Sequence, residues 1–152
     1  MTQVYKLLDA IRDKVRANPH AYTVSTGDIW ELDLEKTTAF PLAHITVNSV
    51  QFTNNTIVFT IRMMALDIVD MDKEIETRDM FYGNTNIHDV FNTQLMVVND
   101  VVTALRRGEL YSDRLQLINE PSAEKVQDRF GHLLAGWSVE IEIAMPNEIS
   151  IC

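Results

Sequence analysis

The apolar positions near the start of the chain recur at helical spacing. Charged residues separate the apolar positions Val4, Leu7, Leu8, Ile11 and Val15. Apolar side chains three or four residues apart share one face of an α-helix, and proline cannot continue a helix. The pattern therefore predicts an amphipathic N-terminal helix of about three turns that stops at Asn18-Pro19.

The apolar period changes to two in several later stretches, as in half-buried β-strands. These stretches are residues 30–34, 40–47, 57–63 and 137–145, with a further short strand marked by Leu115 and Leu117. The apolar phase slips after Val47, which predicts a bulge near Asn48-Ser49. Asn54-Asn55 predicts a hairpin turn, because asparagine tolerates the positive φ of tight hairpins.

Two further helices are predicted in the second half of the chain. The longer one follows Asn86 as its N-cap and stops at Gly108 after Arg106 and Arg107. Its expected apolar stripe is Ile87, Val90, Phe91, Leu95, Val98, Val102 and Leu105. Pro121-Ser122 predicts the start of a brief helix that continues through Val126 and Phe130 and ends at Gly131.

This order of elements predicts an α+β fold, with a mainly antiparallel sheet of four to five strands and two main helices packed on one face. With 152 residues, the chain is expected to form a single domain over 1–152. Residues 70–86 lack sustained periodicity and are expected to form a long projecting loop. Connections of this length in small domains are usually functional or disordered.

The charge and cysteine content narrow the expected partners. The net charge is −9, which disfavours direct binding of phosphate backbones. The single cysteine, Cys152, cannot form an internal disulfide. Neither a signal peptide nor a membrane-spanning segment is expected, so we predict synthesis in a reducing cytoplasm and no membrane partner.

No pattern in the sequence predicts a catalytic or cofactor-binding residue. The four histidines, His20, His44, His88 and His132, lack metal-ligand spacing, and there is neither a nucleophile elbow nor a phosphate-binding glycine loop. His44 lies among apolar residues of a predicted strand, without a base or an orienting group nearby in sequence. We therefore expect His44 to be structural, and no metal or other cofactor to be required.

The acidic residues of the predicted loop allow two interpretations. Hard cations prefer clustered oxygen ligands, so a metal-assisted hydrolase using Asp67, Asp70 and Asp72 is one hypothesis. Position six counted from Asp70 is Ile75 rather than the glycine of an EF-hand, and Lys73 can pair with the acids. A solvated loop is the simpler interpretation.

The succession of elements resembles one protein family. The stretches that carry the resemblance are FPLAHITVNSV, TIVFTIRMMALDIVD, IHDVFNTQLMVVNDVVTALRRG and LLAGWSVEIEIAMPN. Together they resemble the tail-terminator and tail-completion (neck ring) proteins of tailed bacteriophages. The resemblance implies a non-enzymatic structural virion protein, located in the neck of the virion and made in the host cytoplasm.

The resemblance also implies the partners. Copies would form a six- or twelve-fold ring that terminates or completes the tail, contacts the tail tube protein and the head–tail connector or portal-side proteins, and lets DNA pass through its lumen. Candidate subunit-interface residues in the predicted loop are Asp70, Asp72, Glu74, Glu76, Met80, Phe81 and Tyr82. An alternative is a small cytosolic acidic binding module, of adaptor or immunity type, that docks on a basic partner.

Overall fold

The computed structural model of the chain describes residues 3–27, 40–69, 87–112, 114–127 and 134–147. Three of the predicted features lie outside these residues. They are the strand at 30–34, the projecting loop at 70–86 and the helix cap at Asn86.

The structure confirms the predicted α+β class. The helices are α1 (Gln3–Arg16), α2 (Ile87–Arg107) and α3 (Glu109–Ser112). The strands are β1 (Thr23–Thr26), β2 (Leu42–Phe52), β3 (Thr56–Ile68), β4 (Gln116–Leu117), β5 (Ala123–Gln127) and β6 (Leu134–Pro146). The described sheet therefore has six strands rather than four to five, and the additional strands are short and lie at its margins.

The sheet is antiparallel except at one edge. Its order is β1-β2-β3-β6-β4, with β5 also paired to β6. Among the described strands only β1 and β2 run parallel, while β3 and β6 pair over their full length at the centre. Helix α2 lies across β3 and β6, and α1 packs beside it against α2 and β1.

One apolar face of the sheet forms the main core with the helices. The core contains alternate residues of β3 and β6, and the inner faces of α1 and α2 close it with Leu7, Ile11, Val97 and Val101. Each aliphatic side chain buried there stabilises the fold by about 1.5–3 kcal/mol. The strict alternation of β6, with buried Val139, Ile141, Ile143 and Met145, confirms the predicted face of that strand.

The buried stripe of α2 differs from the predicted one. Its buried residues are Val90, Gln94, Val97, Val98, Val101, Ala104 and Leu105, whereas Leu95 is 43% exposed. Gln94 occupies a core-facing position because its side-chain amide donates to the carbonyl of His20. A polar residue at the centre of the buried face is invisible to a pattern of apolar positions.

The N-terminal helix ends where the sequence predicts, and Asn18 fastens that end to α2. Asn18 is 5% exposed, and its side-chain oxygen accepts a hydrogen bond from the backbone N–H of His20 at 2.8 Å. Its amide donates to the carboxylate of Asp100 on α2. A buried polar group with both ends hydrogen-bonded adds specificity at little cost in stability.

The β2–β3 hairpin confirms the predicted bulge and the predicted turn, but the predicted reason for the turn is wrong. The pairing register shifts between Val47 and Ser49, at the predicted bulge. The turn lies at Asn54-Asn55, but neither asparagine has a positive φ. Instead, the hydroxyl of Thr53 accepts the backbone N–H of Thr56 at 3.1 Å, so a side chain closes the turn.

The predicted helix after Pro121 is wrong over residues 123–127, which form β5. Within this segment only Val126 is fully buried, against Met64 and Leu66 on the sheet face away from the helices. The backbone pairs with β6, and Val126 lies opposite Gly136. Pairing with an existing strand overrides a weak local helical preference.

Gly136 and Trp137 join β6 to its neighbours on opposite faces. A Cβ atom on Gly136 would lie 1.8 Å from the carbonyl oxygen of Ala65, so only glycine permits the observed approach of β3. The indole N–H of Trp137 donates to the carbonyl of Phe91 at 2.8 Å. The two rings lie 5.6 Å apart and hold the first turns of α2 on the sheet.

Candidate functional site

The candidate interface residues predicted in the loop all lie outside the described residues. They are Asp70, Asp72, Glu74, Glu76, Met80, Phe81 and Tyr82. Of the acids in the metal hypothesis, only Asp67 is described, near the end of β3. Within the described part of the chain, no three His, Cys, Asp or Glu side chains form a group that could hold a metal ion.

Asp67 is a half-buried carboxylate that bonds to its own strand. Its Oδ1 accepts the backbone N–H of Ile68 at 2.8 Å. Burial raises the pKa of Asp67 above its ordinary value, and the bond from Ile68 lowers it by less. The folded chain thus disfavours the charged form of Asp67, which therefore lowers stability at neutral pH.

Asp67→Asn is expected to remove this pH dependence. A raised folded pKa means that the native state binds the proton more tightly, so stability falls as pH rises above about 3.9, the unfolded pKa of aspartate. Asparagine keeps the acceptor for the Ile68 N–H. In urea unfolding at pH 7 the variant should equal the wild type or exceed it by up to about 0.5 kcal/mol, a small effect because solvent screens this half-exposed group. The difference should vanish below pH 4, and a less stable variant at pH 7 would contradict the assignment.

His44 has a structural environment. It is 1% exposed, its Nε2 lies 2.8 Å from the carbonyl oxygen of Gly27, and its Nδ1 lies 2.8 Å from Ser25 Oγ. Because a carbonyl oxygen only accepts, Nε2 carries a proton and donates to Gly27, while Nδ1 shares a hydrogen bond with the serine hydroxyl. The ring thus ties the end of β1, where Gly27 has φ 106°, to the middle of the sheet.

The most exposed apolar feature of the sheet is the tip of the β2–β3 hairpin. We call residues 48–55 the hairpin arm. All of them are exposed, and β1 pairs with β2 only as far as Ile45. Within the described ranges, no strand covers the outer edge of the arm. Phe52 is 70% exposed and Val50 is 39% exposed.

The arm is also free of charge. The sequence has no Asp, Glu, Lys or Arg between Lys36 and Arg62, although 23% of the whole chain is charged. Exposed edge strands are normally protected from pairing by charges, particularly lysine, or by proline. In the arm, only the bulge at Val47/Ser49 serves that purpose. The charge gap is readable in the sequence, but the exposure of the arm is not.

On the opposite side of the sheet, β4, β5 and the loop between them cover the edge of β6. Between β4 and β5, the side-chain amide of Asn119 donates to the carbonyl of Glu140 at 3.2 Å and accepts the N–H of Glu142 at 3.0 Å. The N–H of Ile118 also donates to the carbonyl of Glu142. Asn119 therefore replaces a missing strand residue beside β6, and this side of the sheet ends in the short strands β4 and β5 rather than in a long exposed arm.

Two grooves lie on the two flanks. On the β1 flank, a groove of about 220 Å³ is lined by Tyr5, Leu8, Asp9, Arg12, Val24, Ser25, Thr26 and Ile45. On the β4 flank, a pocket of about 300 Å³ is lined by Thr56, Tyr111, Arg114, Gln116, Ala144, Met145 and Pro146. We call the second the Tyr111 pocket. None of the described residues that line it is acidic, despite the acidity of the chain.

Two comparisons with known proteins give no match. None of the models of protein families matches it. A comparison with curated proteins likewise gives no relative. Among the described helices, none is both long and apolar enough to cross a membrane.

Proposed function

We propose that the chain is a non-enzymatic structural subunit of the neck of a tailed bacteriophage. In this proposal, copies assemble side by side into a ring at the head–tail junction. The ring terminates or completes the tail and joins it to the connector. Its partners are further copies of itself, the tail tube protein and the portal-side ring proteins, while DNA passes through the lumen.

The observation that carries this proposal is the uncharged, exposed hairpin arm. A strand edge that no described strand covers, with exposed Phe52 at its tip, is a hazard for a protein that acts alone, because it invites uncontrolled pairing. Such an edge is useful in a subunit whose neighbours cover it in the assembled state. The arm therefore favours a protein that is completed by association.

The difference between the two flanks also supports a ring. Ring closure requires two different surfaces on one subunit, each complementary to the other. Among the described residues, one side of the sheet ends in the long exposed arm of β2, whereas the other ends in the short strands β4 and β5, joined through Asn119 to β6. The interface residues predicted at 70–82 remain part of the proposal as a further contact, which nothing in the described residues tests.

The alternative is a small acidic cytosolic binding module of adaptor or immunity type. The net charge of −9 favours it, because such a field attracts basic partners. This alternative predicts a monomer that binds one partner in a one-to-one complex. Oligomeric state therefore separates the two functions.

The test is the mass of the purified protein over a wide concentration range, with the same samples viewed by negative-stain electron microscopy. The proposal predicts closed rings with a central hole and a mass of six or twelve subunits. Rings would also fix the number of copies. A monomer at every concentration would contradict the self-assembling ring and favour the binding module.

A further inference from the structure

Phe52 and the Tyr111 pocket lie at the same end of the sheet, on opposite flanks. Phe52 is paired with Ile57, and Ile57 with Met145, so the three side chains form a row on the helix face. Met145 lines the Tyr111 pocket at the far end of the row. Because neighbouring strands are about 4.8 Å apart, roughly 10 Å separates β2 from β6 at this end.

The chemistry of the Tyr111 pocket suits an aromatic side chain. Its lining includes the ring of Tyr111, which is 50% exposed, and the apolar surfaces of Met145 and Pro146. Arg114 also lines it, and among the described residues this guanidinium has no ion-pair partner. Arginine and methionine sulfur both bind favourably to aromatic rings.

Arg114 occupies its position at a conformational cost. Its φ is 67°, the left-handed region that glycine normally fills after a helix. The bonds from Arg114 N–H to Tyr111 and from Leu115 N–H to Leu110 complete this helix end. A non-glycine residue held in this region costs on the order of 1 kcal/mol. Such a cost points to a use for the arginine side chain.

We propose that the hairpin arm of one copy docks on a second copy of the same chain, with Phe52 seated in the Tyr111 pocket. This inference rests on the proposed function, since it names the contact that would propagate the ring. The contact is heterologous: each copy offers the arm on one flank and the pocket on the other. Repeated around a closing rotation, it produces a ring.

Charge favours a second copy as the occupant. Two chains of net charge −9 repel each other, so a self-contact is favoured where the contacting surfaces carry no acids. The arm has no charge, and the described lining of the pocket contains one arginine and no acid. By contrast, a third pocket on the other sheet face contains the carboxylates of Glu120, Glu124 and Glu140 and would repel an acidic chain.

The experiment is cross-linking between two single-cysteine variants in a Cys152→Ser background. Asn54→Cys places a thiol at the arm tip, and Gln116→Cys places one at the pocket, and both positions are exposed. Neither change removes Phe52, Tyr111 or Arg114. We expect a covalent dimer from the mixed variants under oxidation or with a short bis-maleimide, and little product from either variant alone.

Two substitutions and a matched control test the named side chains. Phe52→Ser is expected to weaken self-association at least tenfold, as for an interface anchor. Tyr22→Ser removes an equally exposed aromatic, 71% against 70%, and should leave association unchanged. Arg114→Gly should weaken association severalfold while the folded chain is as stable as the wild type or more so, since it removes the left-handed strain.

The outcomes distinguish a failure of this contact from a failure of the proposed ring. If Phe52→Ser still forms rings, this contact is overturned and the proposed function stands. The same holds if the mixed cysteine variants form rings but give no cross-link between positions 54 and 116. A 54–54 product from Asn54→Cys alone would also overturn it, because that product indicates two arms paired about a two-fold axis. A wild-type chain that never self-associates would overturn both the contact and the ring.

Discussion

Gly136→Ala is expected to reduce the free energy of unfolding by about 3–5 kcal/mol, enough to unfold a marginally stable domain. The new Cβ would lie 1.8 Å from the carbonyl oxygen of Ala65 and 2.8 Å from its carbonyl carbon. Both are backbone atoms of β3, so no side-chain rotation can make room. The two central strands must separate, which breaks the ladder that joins the halves of the sheet. Urea unfolding followed by far-UV circular dichroism measures the loss.

Ser138→Ala is the matched control for Gly136→Ala. Residue 138 lies on the same strand and the same face, two positions further along β6, and is partly exposed. A substitution there should change stability by less than about 0.5 kcal/mol. If Gly136→Ala were as stable as Ser138→Ala, the close approach of β3 at Ala65 would be wrong.

The features predicted correctly from the sequence are those with strong internal periodicity. The alternation of Val139, Ile141 and Ile143 identifies β6 and its buried face, and the phase slip after Val47 locates the bulge. In these elements the apolar or polar character of each residue already indicates whether its side chain is buried or exposed. A half-buried strand requires alternation, and a bulge shifts it by one residue.

The features that the sequence did not predict depend on contacts with distant residues. The segment 123–127 becomes a strand because β6 is there to pair with it, and Gln94 is buried because the carbonyl of His20 accepts its amide hydrogen bond. The close approach at Gly136 depends equally on Ala65, 71 positions earlier (136 − 65). Such partners are not encoded in the local pattern of apolar residues.

The candidate contact surfaces were predictable in part. The absence of charge from 37 to 61 can be read directly, but it takes the sheet topology to show that no described strand covers the outer edge of β2 at Phe52. The Tyr111 pocket combines residues from β3, α3, β4 and β6 with Arg114, and no motif links them in sequence. A surface made by several elements emerges only with the fold.

His44→Ala is expected to reduce the free energy of unfolding by about 3–4 kcal/mol. The substitution leaves a cavity at a site that is 1% exposed and removes two hydrogen bonds, one to Ser25 Oγ and one to the Gly27 carbonyl, which keeps only the 3.2 Å bond from the hydroxyl of Thr46. Each lost hydrogen bond adds about 1 kcal/mol to the cost of the cavity. Urea unfolding at pH 7 measures the loss.

His44→Gln is the informative companion variant, because it separates the hydrogen bonds from the histidine ring itself. Glutamine retains an amide that can donate to the Gly27 carbonyl, so the loss should be limited to about 1–2 kcal/mol, and the folded variant should still assemble. Ser25→Ala removes one hydrogen bond only and should cost about 1 kcal/mol. If His44→Gln folded with near wild-type stability and yet failed to assemble, His44 would have a role beyond the sheet. Graded losses of stability with intact assembly would establish that the imidazole of His44 holds β1 against β2.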